Sequence, residues 1–586
     1  MNRAAVLFAA SVALANGCNT TTPIVSGRVG ASIAVLSSGA VVVVNPDQGS
    51  VSFLDPTTLA TTQTIVVGGE PHALLELASG LVLVSTFRGG ELVAIDPDSA
   101  SIATRASVCN GPYGLAESPD GSFVAVTCEW DESVVRVDPA TLATTTIGTG
   151  LNRPRAVIVT STDVMVADYI GGMVHDFDAS GTDHATSLVP TAASARPALT
   201  KMSANLASSI VSLGPRVYVA HVLENNTGDT SEAVADDYGT VTNTNPKINP
   251  IVTPAGAEPI SYAKYDGGSR VYSGPSAMVS FGGHYLLVAH ASTANVAVID
   301  TSSGQAVGTY HVGFAPAGIA VDEAHHVAFV DNALDQSVSR ITLDKPFDSS
   351  APTYDADLTL VRPLASPYSP AALAGRRFFF DATNPHVTPA GVVVCASCHP
   401  NGTDDGLVWF EHTPNITLRR RRSKHLGNAK TPMAPFHWDG QFSTMSALAE
   451  STMTNLMGGD GLLVDVSTVQ AFIDEIVQPP ILPAADPAAV ERGSALFSSM
   501  GCDACHATPN FTDDQLHAVL VPESSSPDDV FTAAKTPGLR GIFLSAPYFH
   551  DGRAPDLDTV LHSAMGEASL LTDAQRSDVI AFLRSL

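Results

Sequence analysis

The sequence predicts a multidomain chain: an all-β propeller of seven blades, followed by two small, mainly α-helical units in tandem. Three observations predict it. Short β-rich apolar runs recur at a beat of about forty residues through the first 345 positions. The same runs end repeatedly in aspartate and are preceded by a proline. Beyond them the pattern Cys-X-X-Cys-His occurs twice, at 395–399 and 502–506, each time followed by similar downstream residues.

Composition sets the frame. The chain has 586 residues, too many for one core, and is 45% hydrophobic and 15% charged, which is globular rather than disordered. A net charge of −28 argues against nucleic acid as a partner.

Residues 1–18 read as an export signal. Arg3 gives positive charge, residues 4–14 are a short apolar run, and Ala15, Asn16 and Gly17 precede Cys18. A cysteine closing such a signal resembles a bacterial lipobox, although Ala15 and Asn16 are unusual there. The expectation is lipidation at Cys18; an ordinary cleaved signal is the alternative. The implied location is the bacterial cell envelope: the periplasm, anchored to a membrane by lipid, with the outer membrane open. Cys109 and Cys128 are left for a disulfide in that oxidising compartment, or for two buried thiols.

Residues 29–360 are expected to form the propeller. Pro71, Pro112 and Pro154 lie 41 and 42 apart, and Pro275 and Pro316 lie 41 apart. Asp55, Asp96, Asp138, Asp178 and Asp300 close strands on the same beat. Four short strands per unit make a blade, and a blade buries both faces only when stacked in a ring. Seven blades are expected, the first and last chain segments sharing one to latch the circle. The fifth unit carries an insertion at about 224–268, rich in Asn, Asp, Thr, Gly and Pro, read either as a contact to the two C-terminal units or a partner, or as a surface loop. This half resembles YVTN-type propellers, which implies a fold and little about ligands. Its scattered histidines stay unassigned.

Residues 366–480 and 484–586 are the two helical units. Cys-X-X-Cys-His is the attachment site of a c-type haem: two thiols add across the haem vinyls and the histidine reaches the iron. The chain is therefore expected to carry two covalent haem c groups, on Cys395, Cys398 and His399, and on Cys502, Cys505 and His506. Each unit is expected to open with a helix leading to its haem turn and to close with an amphipathic segment, Val469–Ile476 and Val579–Leu583, and the two share downstream residues. Lys430-Thr431-Pro432 matches Lys535-Thr536-Pro537, Phe436-His437-Trp438-Asp439-Gly440 matches Phe549-His550-Asp551-Gly552, and Met453 or Met457 matches Met565.

Those motifs over 366–586 resemble the bacterial di-haem cytochrome c peroxidases and their methylamine-utilisation relatives. The resemblance implies an exported, peroxidase-like oxidoreductase that passes electrons from the C-terminal haem to the first haem, where hydrogen peroxide or another oxidant is reduced. It makes His506 and Met565 the axial ligands of the electron-entry haem, and Trp438 a relay between the haems, or else a packed interface residue. A small cytochrome c or a cupredoxin would be the electron donor. Calcium between the units, held in part by carbonyls near Ser545 and Pro547, stays open. The distal side of the first haem departs from the pattern: it is open, or takes His412 or His425, or takes Met453 or Met457. With a methionine there, the chain would be a non-catalytic di-haem electron-transfer protein, its propeller a docking or ligand-binding module. Arg419, Arg420, Arg421 and Arg422 either pair with haem propionates, dock a donor, or form a solvated loop.

Overall fold

The computed structural model describes residues 23–189, 202–226, 247–254, 260, 271–348, 350–356, 358–361, 365–413, 416–430, 433–462, 465–483, 486–518, 533–563 and 565–586. Cys18 and the signal segment lie outside the described residues.

The first sheet is an antiparallel meander of Ile33–Val35, Val41–Asn45, Ser50–Leu54 and Thr61–Val66. Its second and third strands are buried throughout, because both sheet faces pack on neighbouring sheets. Its outermost strand, Thr61–Val66, is exposed except at Ile65; threonine keeps β-propensity while facing water. The pattern repeats over 71–107, 112–149, 154–187, 275–311 and 316–342, the last two sheets gaining Thr353–Asp355 and Leu358–Val361 at their outer edges.

That makes six blades of four or more strands, not seven. The remaining place in the ring holds a three-stranded sheet of Ser203–Leu213, Arg216–Asn225 and Lys247–Pro254. The departure has a physical source. The repeat is interrupted after Asn225, and the third strand of this sheet, Lys247–Pro254, is drawn from the stretch expected to be an inserted loop. Asn226, at the start of that stretch, donates from Nδ2 to the carbonyl of Val408 in the first haem unit (3.2 Å).

The latch also differs from expectation. Among the described residues no blade is shared between the first and last propeller segments. Instead residues 24–31 cross the innermost strands of successive sheets, with backbone bonds from Ile24 N to Gly214 O, Gly27 N to Val159 O, Gly30 N to Leu115 O and Ala31 N to Leu74 O. Ile33–Val35 then packs beside Pro316–Asp322 of the last sheet.

Cys109 and Cys128 form a disulfide with Cα atoms 5.9 Å apart, nineteen residues apart in sequence. Closing a loop of that size stabilises by about 3 kcal/mol. Replacing both cysteines by serine is expected to lower the urea midpoint of the propeller accordingly; an unchanged midpoint would show that the bridge contributes nothing.

The C-terminal half is built from α1 (Pro370–Phe380), α2 (Cys395–Cys398), α3 (Met445–Ser451), α4 (Val466–Glu475), α5 (Pro487–Ser499), α6 (Leu557–Ser563) and α7 (Asp573–Arg584). It is helical only in part: a hairpin of Val408–Thr413 and Ile416–Arg422 and several single turns complete it. The duplication is plain in the packing. Helix α1 starts at a Ser369 cap and crosses α4; α5 starts at an Asp486 cap and crosses α7. Glycine stands at both crossings because a Cβ at Gly375 would lie 1.8 Å from Thr468 O, and one at Gly493 2.0 Å from Asp578 O.

One face of the propeller carries both units. The loops on that face reach them from around the ring. Asp47 pairs with Arg376 (2.6 Å), Arg88 donates to Gln478 O (3.1 Å), and Trp130 packs on Leu482, Phe543 and Leu544. Arg153 meets Asp404, Asn205 donates to Asp405 O (2.9 Å), Ser273 donates to Val392 O (2.8 Å), and Arg377 pairs with Asp335. A single apolar core runs from Val222, Tyr272 and Val288 of the propeller to Val393, Trp409, Met453 and Met457. The propeller is thus a pedestal fused to its load.

Candidate functional site

Both Cys-X-X-Cys-His turns open on one cavity of about 650 Å³, lined only by residues between Phe378 and Leu583. The first turn is the short helix α2 and the second a 3-10 turn, Cys502–Ala504. Cys395, Cys398, Cys502 and Cys505 form no disulfide among the described residues, which leaves all four thiols for covalent attachment. Burial pushes the Cys395 thiol up to about 12 and raises that of Cys502, so these two stay protonated thiols at neutral pH.

The two histidines are set alike. Nδ1 of His399 lies 3.2 Å from Thr403 O, and Nδ1 of His506 lies 3.0 Å from Phe511 O. A carbonyl only accepts, so each Nδ1 carries the proton and each Nε2 carries the lone pair, the tautomer an iron ligand needs. Burial lowers both pKa values, which keeps the rings neutral. Paired thiols and a neutral, oriented imidazole at each turn fit covalent haem c.

Met565 lines the cavity and packs against the same buried cluster, with Phe549 and Leu561, that Cys502 packs against. Met453 and Met457 line the lobe around Cys398; both are buried. His425 also lines the cavity. Its Nδ1 accepts from Gly427 N (2.8 Å), so its proton sits on Nε2, which is buried with no hydrogen-bond partner among the described residues. Burial holds this ring down to about 4, hence neutral. The side chains of His412 and Arg419 lie outside the described residues, as do Thr431 and Pro432.

Trp438 stands where the two units meet. Phe436 N donates to Phe442 O and Tyr548 N to Ala554 O, both at 2.7 Å, and His437 and Phe549 share a left-handed backbone (φ 68° and 69°). The equivalence is therefore Trp438 with His550, one place along from what the motif matching implies. These two rings meet edge to face with centroids 6.4 Å apart. Trp438 Nε1 donates to Arg422 O (3.0 Å), and Lys535 N donates to Trp438 O (2.8 Å), so residues of both units fix the indole.

Cations line the same region. Lys424 Nζ lies 4.1 Å from the centre of the Trp438 ring and donates to His437 O (3.3 Å). Removal from water, then Lys535 and Arg421 nearby, hold its amine down to about 7. Lys535 pairs with Asp514 (2.9 Å) and donates to Met433 O. Positive groups that repel one another in a half-buried cavity favour a ligand bearing carboxylates, as haem does. The signal for Lys424 was its place two residues after four consecutive arginines.

A layer behind the cavity was missed entirely by sequence reasoning. Trp409 lines the cavity and donates from Nε1 to Asp405 Oδ2 (2.7 Å). Asn205 Nδ2 reaches both Asp405 O (2.9 Å) and Glu224 Oε2 (3.1 Å). Burial pushes Asp405 up to about 7 and raises Glu224 well above the carboxylate range, with Asp405 adding to the latter. Among the described residues Glu224 Oε1 is buried without a hydrogen-bond partner, which disfavours the charged form of a propeller carboxyl next to the first haem unit.

No protein-family model matches the chain. The methylamine utilization protein MauG of Methylorubrum extorquens is 29% identical over 288 aligned positions, covering 38% of this chain and 80% of that protein. Cytochrome c551 peroxidase of Nitrosomonas europaea is 26% identical, covering 36% of this chain and 78% of that protein. The C-terminal half of this chain is homologous to MauG and cytochrome c551 peroxidase. Among solved structures, Kuenenia stuttgartiensis hydrazine synthase overlaps with TM-score 0.44 and 16% identity, covering 57% of this chain and 99% of that chain. A MauG-like protein associated with microbial copper homeostasis overlaps with TM-score 0.31 and 18% identity, covering 38% of this chain and 90% of that chain.

Proposed function

We propose that this protein is a di-haem c-type oxidoreductase of the periplasm that reduces hydrogen peroxide or a related oxidant with electrons from a small redox protein. The observation that carries the proposal is the single cavity joining both Cys-X-X-Cys-His turns, with Trp438 fixed on its wall where the units meet. The homology to MauG and cytochrome c551 peroxidase supports the reaction class. Haem c, when bound, supplies one-electron chemistry at each turn and a reducible site for the oxidant.

The chain's own residues divide the work. Cys395, Cys398 and His399 hold the first group; Cys502, Cys505, His506 and Met565 hold the second. Met565 would offer the second group a thioether beside the imidazole of His506, a donor pair that would favour electron transfer, so electron entry is assigned to the second unit. Lys424 and Lys535 hold carboxylates, and Glu224 with Asp405 keeps a proton in reserve for a reduction that consumes protons. Lipidation at Cys18 anchors the protein to the envelope.

The test is EPR of the half-reduced protein with and without hydrogen peroxide. A first iron that is high-spin, or becomes so, and reacts with peroxide is expected; a six-coordinate low-spin first iron inert to peroxide would sink the reading. That second outcome has its own support, because Met453 and Met457 are both buried in the first lobe, and either one as ligand would make the protein an electron carrier.

Trp438→Phe is expected to slow electron equilibration between the two units while leaving haem content unchanged, because the indole is held where the units meet and within ring contact of His550. Flash-reduction kinetics check it; wild-type rates would remove the relay role.

A further inference from the structure

The junction between the two haem units is where the resemblance left calcium open. It is occupied by two guanidinium groups. Arg153, at the start of the propeller strand Pro154–Val159, donates from Nη1 to Asp404 O (2.9 Å) and to Thr403 Oγ1 (3.4 Å). Its Nη2 donates to Leu544 O and to Asp404 Oδ1 (3.3 Å). Arg422 Nη2 donates to Asp404 Oδ1 (2.8 Å) and Ala546 O (3.1 Å). Ser545 Oγ donates to Asp404 Oδ2 (3.0 Å). Asp404 is fully buried, Arg153 is 2% exposed and Arg422 5%.

These oxygens have the makeup of a hard-cation site: backbone carbonyls from two loops, a hydroxyl and a carboxylate. Calcium would need six to eight oxygens at about 2.3–2.6 Å. The carbonyls of Asp404, Leu544 and Ala546 already accept from nitrogen, and Ser545 Oγ turns its proton toward Asp404. Two positive charges already face the one carboxylate, so a divalent ion would add repulsion in a fully buried site, where charges interact strongly. These oxygens, each already engaged by a guanidinium or turned toward Asp404, do not fit calcium.

The repeat explains how the propeller reaches this point. The residue before the blade proline is left-handed in five sheets: Glu70 (φ 60°), Gly111 (66°), Arg153 (51°), Gly274 (69°) and Ala315 (54°). Three of these are non-glycine residues held in a region that favours glycine. At the fourth blade the position carries arginine, on the face that bears the haem units.

We propose that Arg153 does at this junction the work of a bound cation. It ties the loop that follows His399 to the loop that precedes Pro547, so the propeller sets the relative placement of the two haem units and the junction takes no calcium. Arg153 is a positioning residue: it touches neither Cys-X-X-Cys-His turn and lies outside the cavity lining.

Two measurements on the full-length holoprotein test this. Elemental analysis after gel filtration in calcium-containing buffer is expected to find no stoichiometric calcium, and chelation with EGTA is expected to leave both haem midpoint potentials unchanged. One retained calcium per chain, or potentials that move on chelation, would overturn the proposal. Arg153→Ala is expected to slow electron equilibration between the haems about tenfold, with Arg153→Lys between it and wild type, since a lysine keeps the charge and loses the fork. Equal rates in Arg153→Ala and wild type would overturn it as well. Should Arg153→Ala fail to fold, the wild-type calcium and chelation results decide.

Discussion

Replacing Cys395 and Cys398 together by serine is expected to leave a protein that carries one covalent haem instead of two and no longer reduces peroxide. Serine cannot add across a vinyl group, so the first turn loses both covalent links. His399 alone, although its tautomer is fixed by Thr403 O, supplies one axial bond. The second turn keeps its own thiols and histidine, packed in a separate core with Phe497, Phe511 and Met565, so its haem remains. Haem-to-protein stoichiometry by pyridine haemochrome and intact mass checks the attachment, and peroxide turnover checks the role. The mirror variant, Cys502→Ser with Cys505→Ser, is expected to keep the first haem and lose oxidation of the donor. Two covalent haems in either double variant would contradict the attachment assignment. Unchanged turnover in the first would remove peroxide from that unit.

What was legible in the sequence follows the range of the interactions involved. The strands repeat because each sheet buries itself against two neighbours, and that demand is written locally in runs such as Val41–Asn45 and Val124–Cys128. The haem turns are legible because the chemistry itself fixes the spacing of Cys395, Cys398 and His399. The duplication shows in Gly375 and Gly493, each required by a helix crossing within its own unit. The three-stranded sheet was not legible, because Lys247–Pro254 finds its partner across a stretch whose composition reads as loop. The motif matching set His437 against His550 and left Trp438 without a counterpart, and only the shared backbone bend at His437 and Phe549 aligns Trp438 with His550. Arg153, Asn205 and Glu224 carry no motif at all. Their partners Asp404 and Asp405 lie about two hundred residues away, and a lone polar residue at the start of a blade looks like any other.

The pedestal arrangement changes what the propeller is for. Contacts from around the ring occupy the face that the loops between second and third strands would otherwise offer to a ligand. Its contribution to the site is made from behind: Arg153 on the inter-unit junction, and Glu224 with Asn205 on Asp405 and, through it, on Trp409.

The junction is also where a single substitution should cost most in stability. Asp404→Ala is expected to destabilise the protein by about 3–5 kcal/mol, because removing one member of a buried charge cluster leaves the others uncompensated. Here two guanidiniums, Arg153 and Arg422, would face each other without the carboxylate that both engage. A domain's whole stability is about 5–15 kcal/mol, so the loss is a large fraction. Arg492→Ala is the contrast: its bond to Asp578 is a good one at 2.7 Å, yet the arginine is 57% exposed, and water screens such a surface pair so that its loss is expected to move the midpoint little. Urea denaturation followed by circular dichroism separates the two. The pH dependence has a definite sign. Burial alone would raise the Asp404 pKa, but Arg422 and then Arg153 outweigh it and hold the carboxyl down to about 2 from 3.8. A depressed folded-state pKa stabilises above the unfolded value and is lost as pH falls through the folded one. The difference between wild type and Asp404→Ala is therefore expected to be full above pH 4 and to shrink between about pH 4 and pH 2. A difference that stayed constant across that window would mean that packing, and not the charge of Asp404, holds the propeller to the haem units.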